Sequence, residues 1–487
     1  MDQNYYQDLS WKPNLKKNGQ PLYLAIADQL KTAIQQHILQ PGDKLPPQRQ
    51  LADFLQINVS TVTKAFKLCE RQGLISATIG RGTFISADIR VDQIIENDQR
   101  ALNLIEMGTV LPLYEQNALV AASIRQIVQK ITIGKFLEYD EPHLRISHRQ
   151  TGCDWLHKFG METIPANMMI ASGAQNALAI ALISLFSAGD KIAVDQLTYP
   201  GFKNLASLLG IRLIPIKADQ QGMSPQALAK ACKIEQIKGL YLMPECQNPT
   251  TITLSPKRRQ QLAEVIKNDH LILIDDDTYA FLNQTGISPV SNLIPQQSIY
   301  ISCTSKALSA GLRVAFMAVA APFHEQIKRG IYNIDLNTSH FNVEIAANLI
   351  ESNLADQIIQ AKRKEAKKRN QLADKILAGY TLLGNEYDYF RWLKLPAKWN
   401  AKDFEYQVRA AGVQVYCSER FAVGSPPVVP AVRISLASPT NLVALRLGLA
   451  QIRQVFQNKA PTSPPSVSSP HLTLPTNREL YLSAVCA

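Results

Sequence analysis

The most reactive arrangement in these 487 residues is a lysine set among hydroxyls and a thiol at the end of an apolar run. The run reads Ile299-Tyr300-Ile301-Ser302-Cys303-Thr304-Ser305-Lys306 and continues through Gly311 to Arg313. Desolvation at the end of a buried strand disfavours the ammonium, so Lys306 would shed its proton more readily than an exposed lysine. The neutral amine can form a Schiff base with an aldehyde. Short polar side chains beside it could hold a phosphate, and Arg313 could neutralise that charge. The competing reading is a strand-end lysine that snorkels into water.

A buried lysine needs a sheet behind it. From about residue 107, short apolar strands alternate with helices, the pattern of an α/β fold with a mostly parallel sheet. Met168-Met169-Ile170-Ala171 runs into Ser172-Gly173-Ala174-Gln175 and a helix from Asn176 to Phe186. A small-residue turn at a helix start offers free N–H groups to a phosphate. Strands are also expected over Lys191–Val194, Gly239–Leu242 and Leu271–Ile274, followed by Tyr199, by Asn248 and by Asp275-Asp276-Asp277-Thr278-Tyr279. Ligands bind at such strand ends. A long helical stretch is expected from about Val343 to Leu377, with Lys362, Arg363, Lys364, Lys367, Lys368 and Arg369 on it. Those cations read as a solvated face, with a DNA-backbone track as the alternative.

Ahead of this region lies a smaller unit. Leu22, Ile26, Leu30, Ile34 and Ile38 mark one face of a helix, ended by Pro41-Gly42-Asp43. A second short helix starts at Pro46-Pro47, and Ser60 is placed to cap a third that buries Val62, Ala65, Phe66 and Cys69. Leu74-Ile75-Ser76 and Thr83-Phe84-Ile85 form a hairpin around Gly80-Arg81-Gly82. Two short helices around a tight turn, the second with a basic and hydroxyl-bearing face, make a helix-turn-helix. The first 86 residues hold ten basic against six acidic side chains, a modest bias.

The composition, 46% hydrophobic and 19% charged, describes a soluble globular protein of two or three domains. The net charge of +11 permits nucleic-acid binding. No apolar run is long enough to span a bilayer, and the first residues lack the regions of a signal peptide. Seven scattered cysteines read as reduced thiols in a cytoplasm, and eight histidines show no metal-ligand spacing. The expected organisation is a head over 1–86, a linker over 87–106, a large domain over 107–457 and a Pro/Ser-rich, disordered extension over 458–487. The linker could reach about 65 Å extended, or ~25 Å relaxed.

In the head, Leu45-Pro46-Pro47-Gln48-Arg49-Gln50-Leu51-Ala52, Ser60-Thr61-Val62-Thr63-Lys64-Ala65 and Gly80-Arg81-Gly82-Thr83 closely resemble the winged helix of GntR-type bacterial transcription regulators. That resemblance implies that Arg49, Ser60, Thr61, Lys64 and Arg81 touch DNA, leaving open which read bases and which phosphates. The large domain resembles a fold-type I aminotransferase, and the pairing with a GntR head is similar to the MocR class of regulators. It implies pyridoxal 5′-phosphate held as a Schiff base, an aldimine, on Lys306. By the same resemblance Asp276 would pair with the pyridine nitrogen, Asn248 and Tyr279 would bond the phenolic oxygen, and Tyr199 would stack on the ring. Gly173, Ala174, Gln175, Ser305 and Arg313 would hold the phosphate, and Tyr139 would reach the neighbouring subunit's phosphate. Arg433 would grip an amino-acid carboxylate. Asp275 and Asp277 read as solvated neighbours of Asp276. Cys303 stands where the family has serine, and a thiol donates poorly, so looser cofactor binding is expected.

These readings converge on a cytoplasmic, homodimeric transcription regulator that binds a double-stranded DNA operator and senses pyridoxal phosphate, a small amino compound, or both. The rival is an active aminotransferase carrying a DNA-binding head. A third reading has the effector bound without any cofactor.

Overall fold

The computed structural model describes residues 9–13, 15, 21–35, 38–39, 43–71, 74–78, 82–85, 104–129, 133–137, 146–282, 286–424 and 429–457. Arg81, Tyr139, the linker up to residue 103 and the extension from 458 lie outside them.

In the head, α1 (Leu22–Gln35), α2 (Gln48–Leu55) and α3 (Val59–Arg71) enclose a core of Ile26, Leu30, Ile34, Leu51, Val62 and Phe66. Strands β1 (Ile75–Thr78) and β2 (Gly82–Ile85) pair antiparallel and add Ile75 and Ile85 to that core. Two expectations need correcting. The ends of the first apolar face, Leu22 and Ile38, are exposed, and Leu39 is buried instead. The cap of α3 is Asn58, whose Oδ1 accepts from Ser60 N at 2.9 Å. Ser60 thus lies within the first turn, exposed.

The large domain is built on β3 (Met168–Ala171), β4 (Lys191–Asp195), β5 (Arg212–Ile216), β6 (Gly239–Leu242), β7 (Ile272–Asp276), β8 (Ser298–Cys303) and β9 (Ala315–Val319). They form one seven-stranded sheet in the order β3-β9-β8-β7-β6-β4-β5. All neighbours run parallel except β9, which is antiparallel to β8 and β3. Their near-continuous apolar sequences suit a sheet covered on both faces. The register sets Asp276 beside Ile301 and Asp275 beside Leu242, so β6, β7 and β8 end together. Helices α4 (Ala174–Leu185) and α5 (Pro200–Leu208) leave the ends of β3 and β4.

The stretch expected as one helix over 343–377 is two, α6 (His340–Glu351) and α7 (Leu354–Ile376), separated at Asn353, whose φ is +61°. Its cations do not form one solvated face. Lys364 and Lys368 are exposed, but Lys362 and Arg369 are buried. Arg369 donates to the carbonyls of Leu436 (3.0 Å) and Pro439 (2.8 Å) and pairs with Glu365 at 2.9 Å. The long stems of these residues reach inward to peptide oxygens that would otherwise be buried without donors.

A smaller antiparallel sheet has its own core. It comprises β10 (Leu382–Leu383), β11 (Phe390–Lys394), β12 (Tyr416–Cys417) and β13 (Ala431–Ser435), in the order β10-β11-β13-β12. Beside it, Ile105–Glu106 pairs in parallel with Val413–Gln414. Among the described residues no helix is long and apolar enough to cross a membrane.

Candidate functional site

Lys306 occupies a one-turn helix, Thr304–Ala307, directly after β8. The residue as a whole is half-buried, and its Nζ donates to the Val110 carbonyl. Burial of the amine lowers its pKa from 10.5 to about 8; Cys303 opposes this, and the cations Arg433 and Arg313 reinforce it. The outcome is an amine more readily neutral than an ordinary lysine.

Asp276 ends β7 and is buried. Its Oδ2 accepts from Tyr241 Oη at 2.8 Å and its Oδ1 from Thr278 Oγ1 at 2.6 Å. Burial raises its pKa while those bonds pull it back, leaving a carboxylate oriented by neutral donors. Tyr241 stacks on Phe202 with centroids 3.8 Å apart. This tyrosine was not singled out in the sequence, although it is the one polar side chain in Gly239-Leu240-Tyr241-Leu242.

Gly173, at the start of α4, adopts φ +96°, a conformation open to glycine. A Cβ there would lie 2.4 Å from Arg313 Nη2, so the guanidinium crosses directly over the turn. Arg313 donates to Ser305 Oγ at 3.1 Å and to the Ser172 carbonyl at 3.3 Å. Ala174 and Gln175 open α4, where the first amides have no intrahelical acceptor. The Gln175 side chain turns aside, donating to Gly201 O at 2.9 Å and accepting from Tyr199 Oη at 3.2 Å. Cys303 Sγ accepts from Ser305 N at 3.4 Å and donates to Ser305 Oγ at 3.2 Å, so the thiol caps the lysine turn. Gly173, Ser305 and Arg313 are thus brought together.

On the other side, buried Arg433 extends from β13. It donates to Asn248 Oδ1 and to the Gly108 carbonyl, both at 2.6 Å, while its buried Nε has no hydrogen-bond partner among the described residues. The guanidinium lies over Phe421, 4.7 Å from the ring centroid. Burial lowers its pKa, so the site holds a strongly desolvated cation bonded to neutral oxygens. Tyr279 is buried against Phe390 with centroids 5.4 Å apart. Burial raises the hydroxyl of Tyr199 to about 12 and that of Tyr279 further, and each responds to the charges of Arg433 and Asp276.

Asp275 and Asp277 are not solvated. Alternation along β7 sends Asp275 to the face opposite Asp276, and both Asp275 and Asp277, just past the strand, are buried. Asp275 Oδ2 accepts from Ser291 N and Oγ at 3.1 and 2.8 Å, and Asp277 Oδ2 from Tyr300 Oη at 2.5 Å. Burial raises Asp275 to about 6 and Asp277 well above the carboxylate range.

In the head, Arg49 on α2 and Ser60 and Lys64 on α3 are exposed, and Thr61 is half-buried. Lys64 Nζ lies 5.3 Å from the Tyr23 ring centroid, which steadies its ammonium. Thr63 is tied to Gln48 at 2.7 Å, joining the two helices of the motif.

Residues 103–445 match the aminotransferase class I and II family, and residues 22–85 match the bacterial regulatory proteins of the gntR family. The chain is 40% identical over 450 residues to the uncharacterized HTH-type transcriptional regulator YdeF of Bacillus subtilis, covering 92% of this chain and 97% of that protein. It is 22% identical to the HTH-type pyridoxine biosynthesis transcriptional regulator PdxR of Corynebacterium glutamicum, over 61% of this chain and 66% of that one. Among solved structures it resembles the kynurenine aminotransferase of Pyrococcus horikoshii, with a TM-score of 0.69 and 22% identity, covering 75% of this chain and 94% of that one.

Proposed function

Since this chain belongs to the aminotransferase class I and II family and carries a gntR-family head, the MocR arrangement, we propose that it is a transcription regulator that binds pyridoxal 5′-phosphate at Lys306 and senses the cofactor, an amino compound, or both. The division that goes with this reading is a DNA-binding head over 1–86, a linker over 87–106, a cofactor-binding domain over 107–457 and an extension over 458–487.

Pyridoxal 5′-phosphate is the cofactor of the family; when bound, it supplies an aldehyde carbon and a ring that withdraws electrons. The donor set of the site fits it. Lys306 offers the amine, which burial lets lose its extra proton near pH 8 instead of near 10.5. Asp276, oriented by Tyr241 and Thr278, keeps a proton on the ring nitrogen. Asn248 and Tyr279 serve the phenolic oxygen, and Tyr199 the ring face. Gly173, Ala174, Gln175, Ser305 and Arg313 hold the phosphate, joined in a homodimer by the neighbouring subunit's Tyr139. Arg433 takes a carboxylate, for which its desolvated charge and unpaired Nε are suited. Arg49, Ser60, Thr61, Lys64 and Arg81 contact a double-stranded operator.

The observation that supports this reading is the presence, in one chain, of a compact winged-helix head and of a lysine, an aspartate and Arg313 at the ends of the larger sheet, with Arg433 reaching toward them from the smaller one. The test is a gel shift and footprint upstream of neighbouring genes, with and without pyridoxal phosphate, for the natural protein and Lys306→Ala. A protected site that responds to the cofactor only when Lys306 is present supports the reading. Absence of sequence-preferring binding in every condition defeats it. Borohydride reduction of a visible absorption band onto Lys306 separates it from a regulator that works without cofactor.

A second reading, an active aminotransferase with a DNA-binding head, is favoured by the joint retention of Lys306 and Arg433. Sustained keto-acid formation from amino-acid pairs at ~1 per second or faster, lost in Lys306→Ala, would establish it.

A further inference from the structure

We propose that Lys362 is a positioning residue for Lys306, holding from behind the turn that carries the reactive amine. The proposal rests on the reading of Lys306 given above. Lys362 lies in the middle of α7 and is fully buried, with 0% of its surface exposed. Its Nζ donates to two peptide oxygens, those of Lys306 at 3.1 Å and Leu308 at 2.8 Å.

The turn it grasps is too short to hold itself. Thr304–Ala307 is one helical turn, and a single turn gains little from its own hydrogen bonds. Its beginning is fastened elsewhere: Thr304 donates through N and Oγ1 to the Val314 carbonyl at 3.0 and 2.9 Å, and Cys303 Sγ caps Ser305. At its end, carbonyls that no helix continues to satisfy meet the Lys362 ammonium. The direction of the Lys306 side chain depends on both fastenings.

Packing alone does not account for a lysine here. An unbranched apolar side chain of similar length would fill the same space without the cost of burying an ammonium. Burial is severe enough to bring the Lys362 amine down to about 7; Glu115 opposes this, and the charge of Lys306 adds to it. The charge of Lys306 thus disfavours that of Lys362 while Lys362 holds the backbone of Lys306. A donor that reaches the Lys306 turn is what the site retains for that cost.

The test uses the full-length protein with Lys362→Met, Lys362→Arg and Lys362→Gln, and Lys306→Ala as control. Pyridoxal phosphate is titrated by visible absorbance, and circular dichroism in the visible band is compared at equal occupancy. Lys362→Met is expected to weaken cofactor binding by about tenfold, as loss of a residue that orients a ligating side chain commonly does, and to reduce the visible ellipticity per bound cofactor. Lys362→Arg, which keeps the charge and the donors, is expected to stay within about threefold of the natural protein. Lys362→Gln, with donors and no charge, falls between them and replaces the Met variant should that one not fold. A packing role predicts the reverse order, Met better than the bulkier Arg, and that order overturns the proposal. Unchanged affinity and ellipticity in Met or Gln also overturn it. A visible band that persists in Lys306→Ala would instead defeat the reading of Lys306 itself.

Discussion

Arg433 directs one terminal N–H to the side-chain oxygen of Asn248, 2.6 Å away, and so joins the smaller sheet to the loop that follows β6 of the larger one. Neither this oxygen nor its other acceptor, the Gly108 carbonyl, carries a charge. A carboxylate arriving here would form stronger, charge-assisted bonds than those it replaces. Lys at this position would keep the charge and lose the planar fork. Arg433→Lys is therefore expected to weaken amino-acid binding by about tenfold or more, with cofactor affinity changed much less. Spectral titration of the cofactor-loaded protein with amino acids checks this.

Gly173→Ala should damage the turn proposed to hold the phosphate. The left-handed φ of +96° strains any side chain, and the new methyl group would meet Arg313 Nη2 at 2.4 Å. The flexible guanidinium can swing away, but only by leaving Ser305. A loss of about 1–3 kcal/mol in stability is expected from the backbone strain, together with weaker cofactor binding. Urea denaturation and absorbance titration read the two effects separately.

The amine of Lys306 sets a pH dependence whose sign follows from its lowered pKa. Below about 8 the folded protein holds the amine protonated, and above it the amine is free to attack. The rate of pyridoxal phosphate capture should rise with pH and level off a little above 8, well short of the ordinary lysine value of 10.5. Between those two values the unfolded chain binds the extra proton and the folded one does not. Stability of the cofactor-free protein from this group is thus greatest above 10.5 and is lost as pH falls through about 8. Lys306→Met should remove that component in denaturation curves recorded across the range.

Cys303→Ser should tighten cofactor binding by about fivefold, the worth of one ordinary hydrogen bond. The thiol caps Ser305 at 3.4 Å; a hydroxyl makes a shorter and stronger bond. A titration in which the serine variant binds no more tightly would remove the idea.

Lys64→Ala should weaken operator binding and flatten its salt dependence. An exposed lysine on α3 that contacts one phosphate contributes about one unit to the slope of log K against log salt. Equal slopes for variant and natural protein, measured by anisotropy between low and moderate salt, would take Lys64 out of the backbone contact.

Much of this was legible in the sequence, for physical reasons. Apolar runs closed by polar clusters marked β3, β4, β6, β7 and β8, because a sheet covered on both faces tolerates little else. Lys306 was legible as chemistry because it follows such a run, whereas the roles of Asp276 and Arg433 came from the family resemblance of their motifs. What escaped was the burial of polar residues whose partners lie far along the chain. Lys362 finds its acceptors 54 and 56 residues away. Asp275 and Asp277 find Ser291 and Tyr300 on neighbouring elements. Three consecutive carboxylates look solvent-facing in one dimension, and only the sheet shows that both faces are roofed. The cap of α3 is Asn58 and not Ser60 for a local reason: the helix starts one residue before Ser60, and the Asn58 side chain accepts from the Ser60 amide within its first turn.

One thread runs through the whole site. After Ile105–Glu106 joins Val413–Gln414, the chain passes its Gly108 carbonyl to Arg433 and its Val110 carbonyl to Lys306, then fastens Leu111 N to Ser438 at 2.9 Å. The two side chains with the strongest claim on an incoming ligand are thus already engaged by peptide oxygens two residues apart. A molecule that recruits both must unbutton this thread, and the thread is the first described stretch on the way from the head. Filling the pocket therefore means trading these two peptide acceptors for those of the ligand.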